Sequence, residues 1–169
     1  RVWSFDGEPD AELVTRETPG MPGIEGVAEH LGTTPAGMLK TIVMQPAEER
    51  EDVAWVLAVV RGDHDVNEGK VRDAVGFAVE MGDEKAAKQA GFAIGYVSPR
   101  AAEVIERTTL VIDPDAIGPG EGKTTWATGS DHADQHDTGF CWRRNMSPGF
   151  SDKLAAGESD RAKVADIRN

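Results

Sequence analysis

The chain has 169 residues, of which 30 are acidic and 18 basic, so its net charge is -12. Nonspecific nucleic-acid affinity comes mainly from Lys and Arg neutralising phosphates, so this balance excludes a strong autonomous nucleic-acid binder. The length predicts one compact domain, and the lone Cys141 excludes an internal disulfide or a thiolate metal cage. No apolar run is long enough for a bilayer and the N-terminus lacks signal-peptide features, so we expect a cytoplasmic protein without a membrane partner.

The first third of the chain predicts one helix and two strands. Residues 1–12 are polar and are expected to form a peripheral entry segment. A short helix follows from Ile24 to Leu31, and Gly32 is expected to close it. Met38 to Met44 has the composition of a strand, and the unbroken apolar run Val53 to Val60 is typical of a strand buried on both faces.

The buried strand ends abruptly in a charged segment, Arg61 to Lys70. Asp65 and Glu68 have capping-box spacing, which predicts a helix that starts here and stops at Gly76. A strand, a short polar loop and a capped helix would place exposed backbone N–H groups beside one end of a sheet.

The middle of the chain predicts further strands and one helix. Phe77 to Met81 suits a short strand, and Asp83 to Ala90 suits a helix capped by its aspartate. Phe92 to Pro99 resembles a strand that leads into a tight loop. Thr108 to Ile112 and Thr124 to Thr128 are rich in strand-forming residues.

The last third carries a polar, histidine-bearing loop from Asp131 to Asp137, followed by Phe140 to Trp142. Residues 145–160 are poor in apolar side chains and are expected to lie at the surface. Strands outnumber helices and do not alternate regularly with them. The sequence therefore predicts a mixed α+β fold.

Lys40 is the first candidate for chemistry. Strand alternation places it on the face shared by Met38, Ile42 and Met44, so an amine points along an apolar wall. Two interpretations are open: a lysine whose amine reaches solvent from a strand end, or a fixed cation at the floor of a pocket that binds a phosphate or carbonyl group.

A glycine-bearing turn is the second candidate, because glycine lets backbone N–H groups approach a ligand closely. It comprises Gly91, Gly95, Ser98 and Pro99, and an ordinary turn is the alternative. Neither Ser98 nor Cys141 has a base at triad-like spacing, so the residues give no support for nucleophilic catalysis.

The third candidate is the loop Asp131 to Asp137. Its oxygen and imidazole groups suit a metal, but their spacing matches no closed zinc pattern, and a solvated acidic loop is the commoner meaning. We therefore predict no metal site, and His136 is instead a candidate for the lining of a substrate pocket.

Lys40 to Val43, followed by Arg61 to Lys70, closely resembles the editing domain inserted into bacterial-type prolyl-tRNA synthetase, in the YbaK/ProX-like superfamily. That family typically reads Lys-Thr-Leu, an apolar strand, and then Arg-Gly-Asp-His-Glu-Leu-Asn-Glu-x-Lys. Residues 18–28 are similar to the family's first helix, and Lys163 to Asn169 resembles the point where the insertion returns to the catalytic body. The resemblance implies that residues 1–169 form a single editing domain that is part of a larger enzyme.

The resemblance implies a largely antiparallel, barrel-like sheet with surrounding helices, and hydrolysis of alanine wrongly attached to proline tRNA. It implies no cofactor. The implied partners are the 3′ end of aminoacylated tRNA(Pro) and the catalytic and anticodon-binding domains of a homodimeric parent synthetase. By resemblance the catalytic residues are Lys40, Gly95, Ser98 and Pro99, and the substrate-binding residues are His136, Gly91, Tyr96, Gly129 and His64.

Two departures from the family leave alternatives open. The segment Gly95 to Pro99 matches the family's Gly-x-x-x-Pro loop, but its sequence is closer to that of the freestanding Cys-tRNA(Pro) deacylases. This favours a deacylase acting in trans. The family's Gly-x-Asn-Trp-Gly-Arg-Asp appears here as Gly139 to Asn145, with Asn to Cys, Gly to Arg and Asp to Asn. Those changes keep open a catalytically silent insertion that only stabilises its synthetase or positions tRNA.

Overall fold

The computed structural model describes residues 3–9, 11–21, 23–118 and 125–169. Among them the strands are β1 (Val14–Glu17), β2 (Leu39–Pro46), β3 (Trp55–Arg61), β4 (Val79–Met81), β5 (Thr108–Ile112), β6 (Trp126–Gly129), β7 (Gln135–Phe140) and β8 (Ala162–Val164). The helices are α1 (Gly23–Leu31), α2 (Glu68–Val75), α3 (Glu84–Ala90), α4 (Ala101–Val104), α5 (Trp142–Asn145) and α6 (Phe150–Ala155). Two 3-10 turns span Pro35–Gly37 and Pro114–Ala116.

The strands form two sheets. The larger has the order β4-β2-β3-β5-β8, in which β4, β2 and β3 are antiparallel and β3, β5 and β8 are parallel. The smaller sheet, β1-β7-β6, is antiparallel throughout. A parallel bridge between Met38 and Ala127 links the two sheets. The predicted mixed α+β fold is confirmed.

The central strand β3 is buried on both faces, as its apolar run predicts. Leu57 and Val59 face the larger apolar core, which α3, α4 and α6 help to cover. Val56 and Val60 face a second core with Val71 of α2. A strand covered on both faces is a rigid support for whatever its neighbours carry.

Strand β2 is paired along most of its length on one side and only near its end on the other. It pairs with β3 from Leu39 to Met44, whereas β4 pairs only with Met44–Pro46 on the other side. No strand among the described residues covers the first half of β2 on that second side. This uncovered edge is where the candidate site lies.

The structure corrects the prediction for Phe92 to Pro99, which form no strand. The Tyr96 N–H donates to the Ala93 carbonyl (2.8 Å), and Gly95 has a φ of 92°, so the chain turns here. Phe92 and Val97 are each buried in the larger apolar core. An apolar run satisfies burial in either conformation, and Gly95 permits the turn because glycine adopts a positive φ without strain.

The helix cap after β3 also differs from the prediction. Asn67 is the N-cap residue of α2, and its Oδ1 accepts the Lys70 N–H at 3.0 Å. Asp65 lies two residues too early for that bond. The other predicted cap is confirmed, because the Asp83 carboxylate accepts the Ala86 N–H and Gly91 closes α3.

Three terminal and loop segments are more ordered than the sequence indicates. The loop expected at Asp131 to Asp137 gives way to β7 at Gln135. Residues 145–160 include α6 and bury Met146 and Leu154, and the entry segment 1–12 buries Phe5. Of the predicted strand 124–128, Thr124 lies outside the described residues.

Candidate active site

A cavity of about 660 Å³ opens beside the uncovered edge of β2. Strand β2 forms one wall, the turn at residues 93–97 forms another, and α1 contributes a third. Its lining comprises Met21, Gly23, Ile24, Val27, Met38, Leu39, Lys40, Thr41, Ile42, Val43, Met81, Gly82, Glu84, Ile94, Gly95, Tyr96, Val97, Gly129 and His136.

Lys40 lies in β2 at the cavity, with 26% of its side chain exposed. The alternation that placed it is confirmed, because Leu39 and Val43 enter the larger core while Ile42 packs against the second core. Its Nζ donates to Asp65 Oδ1 at 3.0 Å. The amine is therefore neither buried alone nor free in solvent, but is held at the cavity by a carboxylate.

The turn at residues 93–97 presents two unused backbone donors. The Tyr96 N–H is bound to the Ala93 carbonyl, and the Ser98 N–H is bound to Asp131 Oδ1 at 2.8 Å. Within the described part of the chain, the N–H groups of Gly95 and Val97 have no acceptor, and both residues line the cavity. Two unpaired amides in one cavity wall can stabilise an oxyanion.

Asp131 fixes this turn from behind. Its Oδ2 accepts a hydrogen bond from Ser98 Oγ (2.5 Å), and its own N–H donates to the Tyr96 carbonyl (2.8 Å). Burial raises the pKa of the Asp131 carboxyl, an effect that the hydrogen bonds from Ser98 partly offset. The carboxylate thus binds the Ser98 amide, whereas the neighbouring Val97 amide has no acceptor among the described residues.

Gly129 allows the turn to approach β6 closely. A Cβ on this glycine would lie 2.2 Å from the Tyr96 carbonyl oxygen and 2.8 Å from the Val97 nitrogen. Real Cβ atoms do not tolerate such distances, so the position of the turn depends on a residue without a side chain.

His136 also lines the cavity. It lies in β7, is buried, and its Nδ1 is 2.6 Å from Thr18 Oγ1. The Tyr96 ring packs against the imidazole with centroids 5.4 Å apart, and the Tyr96 hydroxyl donates to Asp134 Oδ1 at 3.1 Å. Burial lowers the pKa of His136, an effect that the Asp137 charge partly offsets, and this favours the neutral imidazole.

The structure brings five of the nine residues named from the sequence to the cavity wall: Lys40, Gly95, Tyr96, Gly129 and His136. Ser98 and Pro99 are buried directly behind the turn, and Gly91 closes α3. His64 lies outside the cavity lining, where its Nε2 is 3.3 Å from an Arg61 nitrogen.

Sequence analysis did not assign Thr18, Asp65 and Asp131 the contacts that hold the site together. Asp131 adopts a positive φ of 65°, a conformation that only the structure reveals. Thr41 was missed as well, and its Oγ1 is buried at the cavity without a hydrogen-bond partner among the described residues.

The motif Gly139 to Asn145 is a structural corner that contributes nothing to the cavity lining. Asn145 Oδ1 accepts the Cys141 N–H at 2.8 Å, and an Arg144 nitrogen donates to the Gly139 carbonyl at 2.7 Å. Trp142 is fully buried, and its Nε1 donates to the Ala116 carbonyl. The departures from the resembled pattern therefore lie in the scaffold.

Two aspartates of the segment Asp131 to Asp137 also bind other parts of the fold. Asp131 binds Ser98, and Asp137 accepts a hydrogen bond from Thr15 Oγ1 at 2.6 Å. The described residues contain no group of three His, Cys, Asp or Glu side chains that could hold a metal ion.

None of the described helices has the length and apolar character needed to cross a membrane.

Residues 18–137 match the aminoacyl-tRNA editing domain family, and every residue of the cavity lining falls within that range. The chain belongs to this family. It is 30% identical over 158 residues to the proline–tRNA ligase of Magnetococcus marinus, covering 92% of this chain and 26% of the ligase. It is 31% identical over 171 residues to that of Paraburkholderia phymatum, covering 95% of this chain and 25% of the ligase.

The editing domain thus spans about a quarter of the length of the curated ligases that it matches. A solved structure of a proposed trans-editing enzyme for prolyl tRNA synthetase superposes with a TM-score of 0.65 at 18% identity, covering 93% of this chain and 87% of that one. At that identity the superposition shows a shared fold.

Proposed function

We propose that this editing domain hydrolyses the ester of mischarged tRNA(Pro), with Ala-tRNA(Pro) as its substrate, in cis within a proline–tRNA ligase. One observation carries the proposal. Two unpartnered backbone amides, at Gly95 and Val97, share a cavity with Lys40 and His136. An aminoacyl ester is already activated, so a site that places water and stabilises an oxyanion is sufficient without a protein nucleophile.

In the proposed reaction, water adds to the ester carbonyl carbon while the Gly95 and Val97 amides stabilise the oxyanion. The bond to the terminal ribose oxygen then breaks, and a proton that originates from the water ends on that oxygen. The products are the free amino acid and deacylated tRNA. Lys40 binds a phosphate or ribose oxygen of the terminal nucleotide, and no cofactor takes part.

The proposed amino-acid selection depends on size. His136 and the Tyr96 ring pack together in the cavity lining, and in this proposal they limit its size so that alanine enters while proline is excluded. A second site that hydrolyses what is small enough to enter is the usual solution when one binding site cannot discriminate sufficiently. The proposed partners are the 3′ end of tRNA(Pro) and the catalytic and anticodon-binding domains of a homodimeric cytoplasmic ligase.

The test is single-turnover deacylation with excess protein and Ala-, Cys- or Pro-tRNA(Pro). We expect loss of the alanyl ester, retention of the prolyl ester, and weak tRNA binding by the domain because its net charge is -12. Lys40→Ala should lower the rate constant by about 100-fold, an effect within the range for lost transition-state positioning. Lys153→Ala, which removes an exposed lysine on α6, is the matched control and should have no effect.

The alternatives give different results in the same assay. Preferential loss of the cysteinyl ester, at a rate that does not increase when the domain is joined to a ligase, would favour a trans-acting deacylase. Retention of all three esters would contradict hydrolysis and favour a structural insertion. An unchanged rate in Lys40→Ala would show that Lys40 takes no part in the reaction.

A further inference from the structure

The ammonium of Lys40 is held by Asp65 at the cavity. The distance from Lys40 Nζ to Asp65 Oδ1 is 3.0 Å, and 82% of the Asp65 side chain is exposed. An ammonium has three donors, so this bond leaves two for a substrate oxygen. Asp65 therefore orients the amine and leaves it able to bind a substrate oxygen.

The backbone that carries Asp65 is fixed by residues 166–169. The Asn169 N–H donates to the Asp65 carbonyl (3.0 Å), and the Asn67 N–H donates to the Ile167 carbonyl (2.7 Å). Val66 and Arg168 form an antiparallel bridge between these bonds. The loop after β3 is thus paired with an extended segment near the C-terminus.

That segment is itself anchored in the core. The Asp113 carboxylate is fully buried and accepts hydrogen bonds from the Ile167 N–H (3.1 Å) and from Arg168 (3.1 Å). Ile167 is also fully buried, in the second apolar core. Asp65 consequently occupies a fixed position, although its side chain lies at the surface.

We propose that Asp65 is a positioning residue for Lys40 in the deacylation reaction, a role that rests on the proposed function. A lysine side chain carries about 2 kcal/mol of rotamer entropy, so an unrestrained Lys40 would spend much of its time away from the substrate. An exposed ion pair contributes little to the free energy of unfolding. The proposed role of the Lys40–Asp65 ion pair is to restrict the amine to one direction before the substrate binds.

The proposal fixes the direction of both kinetic effects. Without the Asp65 carboxylate, Lys40 loses its preferred direction, so the rate constant at saturating protein falls. A negative charge near the incoming phosphate also disappears, so half-saturation occurs at the same or a lower protein concentration. A role only in stability would not separate these two quantities.

The first experiment compares Asp65→Asn, Asp65→Glu and Asp73→Asn in single-turnover deacylation of Ala-tRNA(Pro). We expect Asp65→Asn to lower the saturating rate constant by about tenfold, as expected for a mispositioned binding group. Asp65→Glu keeps the carboxylate and should restore most of the rate. Asp73→Asn makes the same charge change at an exposed aspartate of α2 that pairs with Arg72, and should match the unsubstituted chain.

The second experiment tests whether Asp65 acts through Lys40. In the Lys40→Ala background, Asp65→Asn should have no further effect, because coupled residues are not additive. Independently of activity, the 1H–15N NMR resonance of the Lys40 ammonium, assigned by its absence in Lys40→Arg, should report greater side-chain motion in Asp65→Asn but not in Asp73→Asn.

The outcomes separate the two proposals. If the unsubstituted chain hydrolyses the ester but Asp65→Asn keeps or raises the rate constant, the role of Asp65 is overturned and the function stands. Additive effects with Lys40→Ala would overturn it as well. If the unsubstituted chain hydrolyses no ester, the function fails, and the role of Asp65 in it fails too, even where NMR shows an ordered amine.

Discussion

The two walls of the cavity are held in place by different kinds of interaction. On the β2 side, an exposed ion pair between Lys40 and Asp65 directs a flexible amine. In the second wall, the turn at residues 93–97 is fixed by a hydrogen bond from Ser98 to Asp131 and by its contact with Gly129, both largely shielded from solvent. The first wall is adjustable and sensitive to salt, whereas the second is preorganised.

The difference suits the chemistry proposed for each wall. A charge that meets a mobile phosphate tolerates small changes in position, because Coulomb attraction falls slowly with distance. Amides that stabilise an oxyanion need fixed distances to the reacting atom. Substitutions on the turn side should therefore affect the rate more than substitutions near Asp65.

The largest expected effect is that of Gly129→Ala. The new Cβ would displace the turn at Tyr96 and Val97, and a shift of about 1 Å in catalytic geometry costs about 100-fold in rate. The free energy of unfolding should fall by about 1–3 kcal/mol through overpacking. Single-turnover deacylation and urea unfolding measure the two effects.

Gly69→Ala is the control for that substitution. Gly69 lies in α2, and its added Cβ would have its nearest contact at an ordinary 3.4 Å. The rate should stay unchanged, and stability should rise by up to about 1 kcal/mol because alanine favours helix. A Gly129→Ala variant with the rate of Gly69→Ala would show that the turn amides take no part.

A smaller effect is expected for Asn67→Ala on the Lys40 side. It removes the N-cap bond to the Lys70 N–H, which should lower the free energy of unfolding by about 1 kcal/mol. Asp65→Ala should cost less, because the Asp65 side chain makes only an exposed ion pair. Alanine cannot cap a helix at either position, so urea unfolding of both variants decides between the two caps, and a greater loss in Asp65→Ala would favour the cap expected from the sequence.

The smallest expected effect is a pH dependence from His136. Burial lowers its pKa in the folded state, whereas the unfolded chain keeps the ordinary value of about 6.5. Below pH about 6.5 the unfolded state binds more protons, so the free energy of unfolding falls as the pH falls towards the folded-state pKa. Urea unfolding from pH 8 to 5.5 should show this loss in the unsubstituted chain and a weaker one in His136→Gln.

The unsubstituted chain and His136→Gln differ in no other ionisable group. His30, His64 and His132 remain in both chains, and Asp131 titrates in both. Equal pH slopes would indicate that His136 titrates alike in the folded and unfolded states, and would contradict its burial as the cause of the lowered pKa.

The sequence predicted best where short-range rules decide. The run from Val53 to Val60 indicated a doubly buried strand, and Asp83 with Gly91 marked both ends of α3. Lys40 was placed by strand alternation alone. Each of these predictions depends on residues within a few positions of one another, where propensity and capping are strong.

Prediction failed where distant residues select the conformation. Phe92 to Pro99 has the composition of a strand, yet Asp131, 33 residues away from Ser98, fixes it as a turn. Asp65 has the spacing of a cap, yet it pairs with Lys40, 25 residues earlier in the chain. In both places two local conformations were acceptable, and a long-range hydrogen bond decided between them.

By itself, the sequence determined the main helices and strands, the acidity of the domain and the family signature around Lys40 and Arg61 to Lys70. Only the tertiary structure decided which amides remain free, which carboxylate holds the lysine and how His136 meets Thr18 across 118 residues. The physical reason is that periodicity and capping act within a few residues, whereas a hydrogen-bond partner is chosen by the packing of the whole chain.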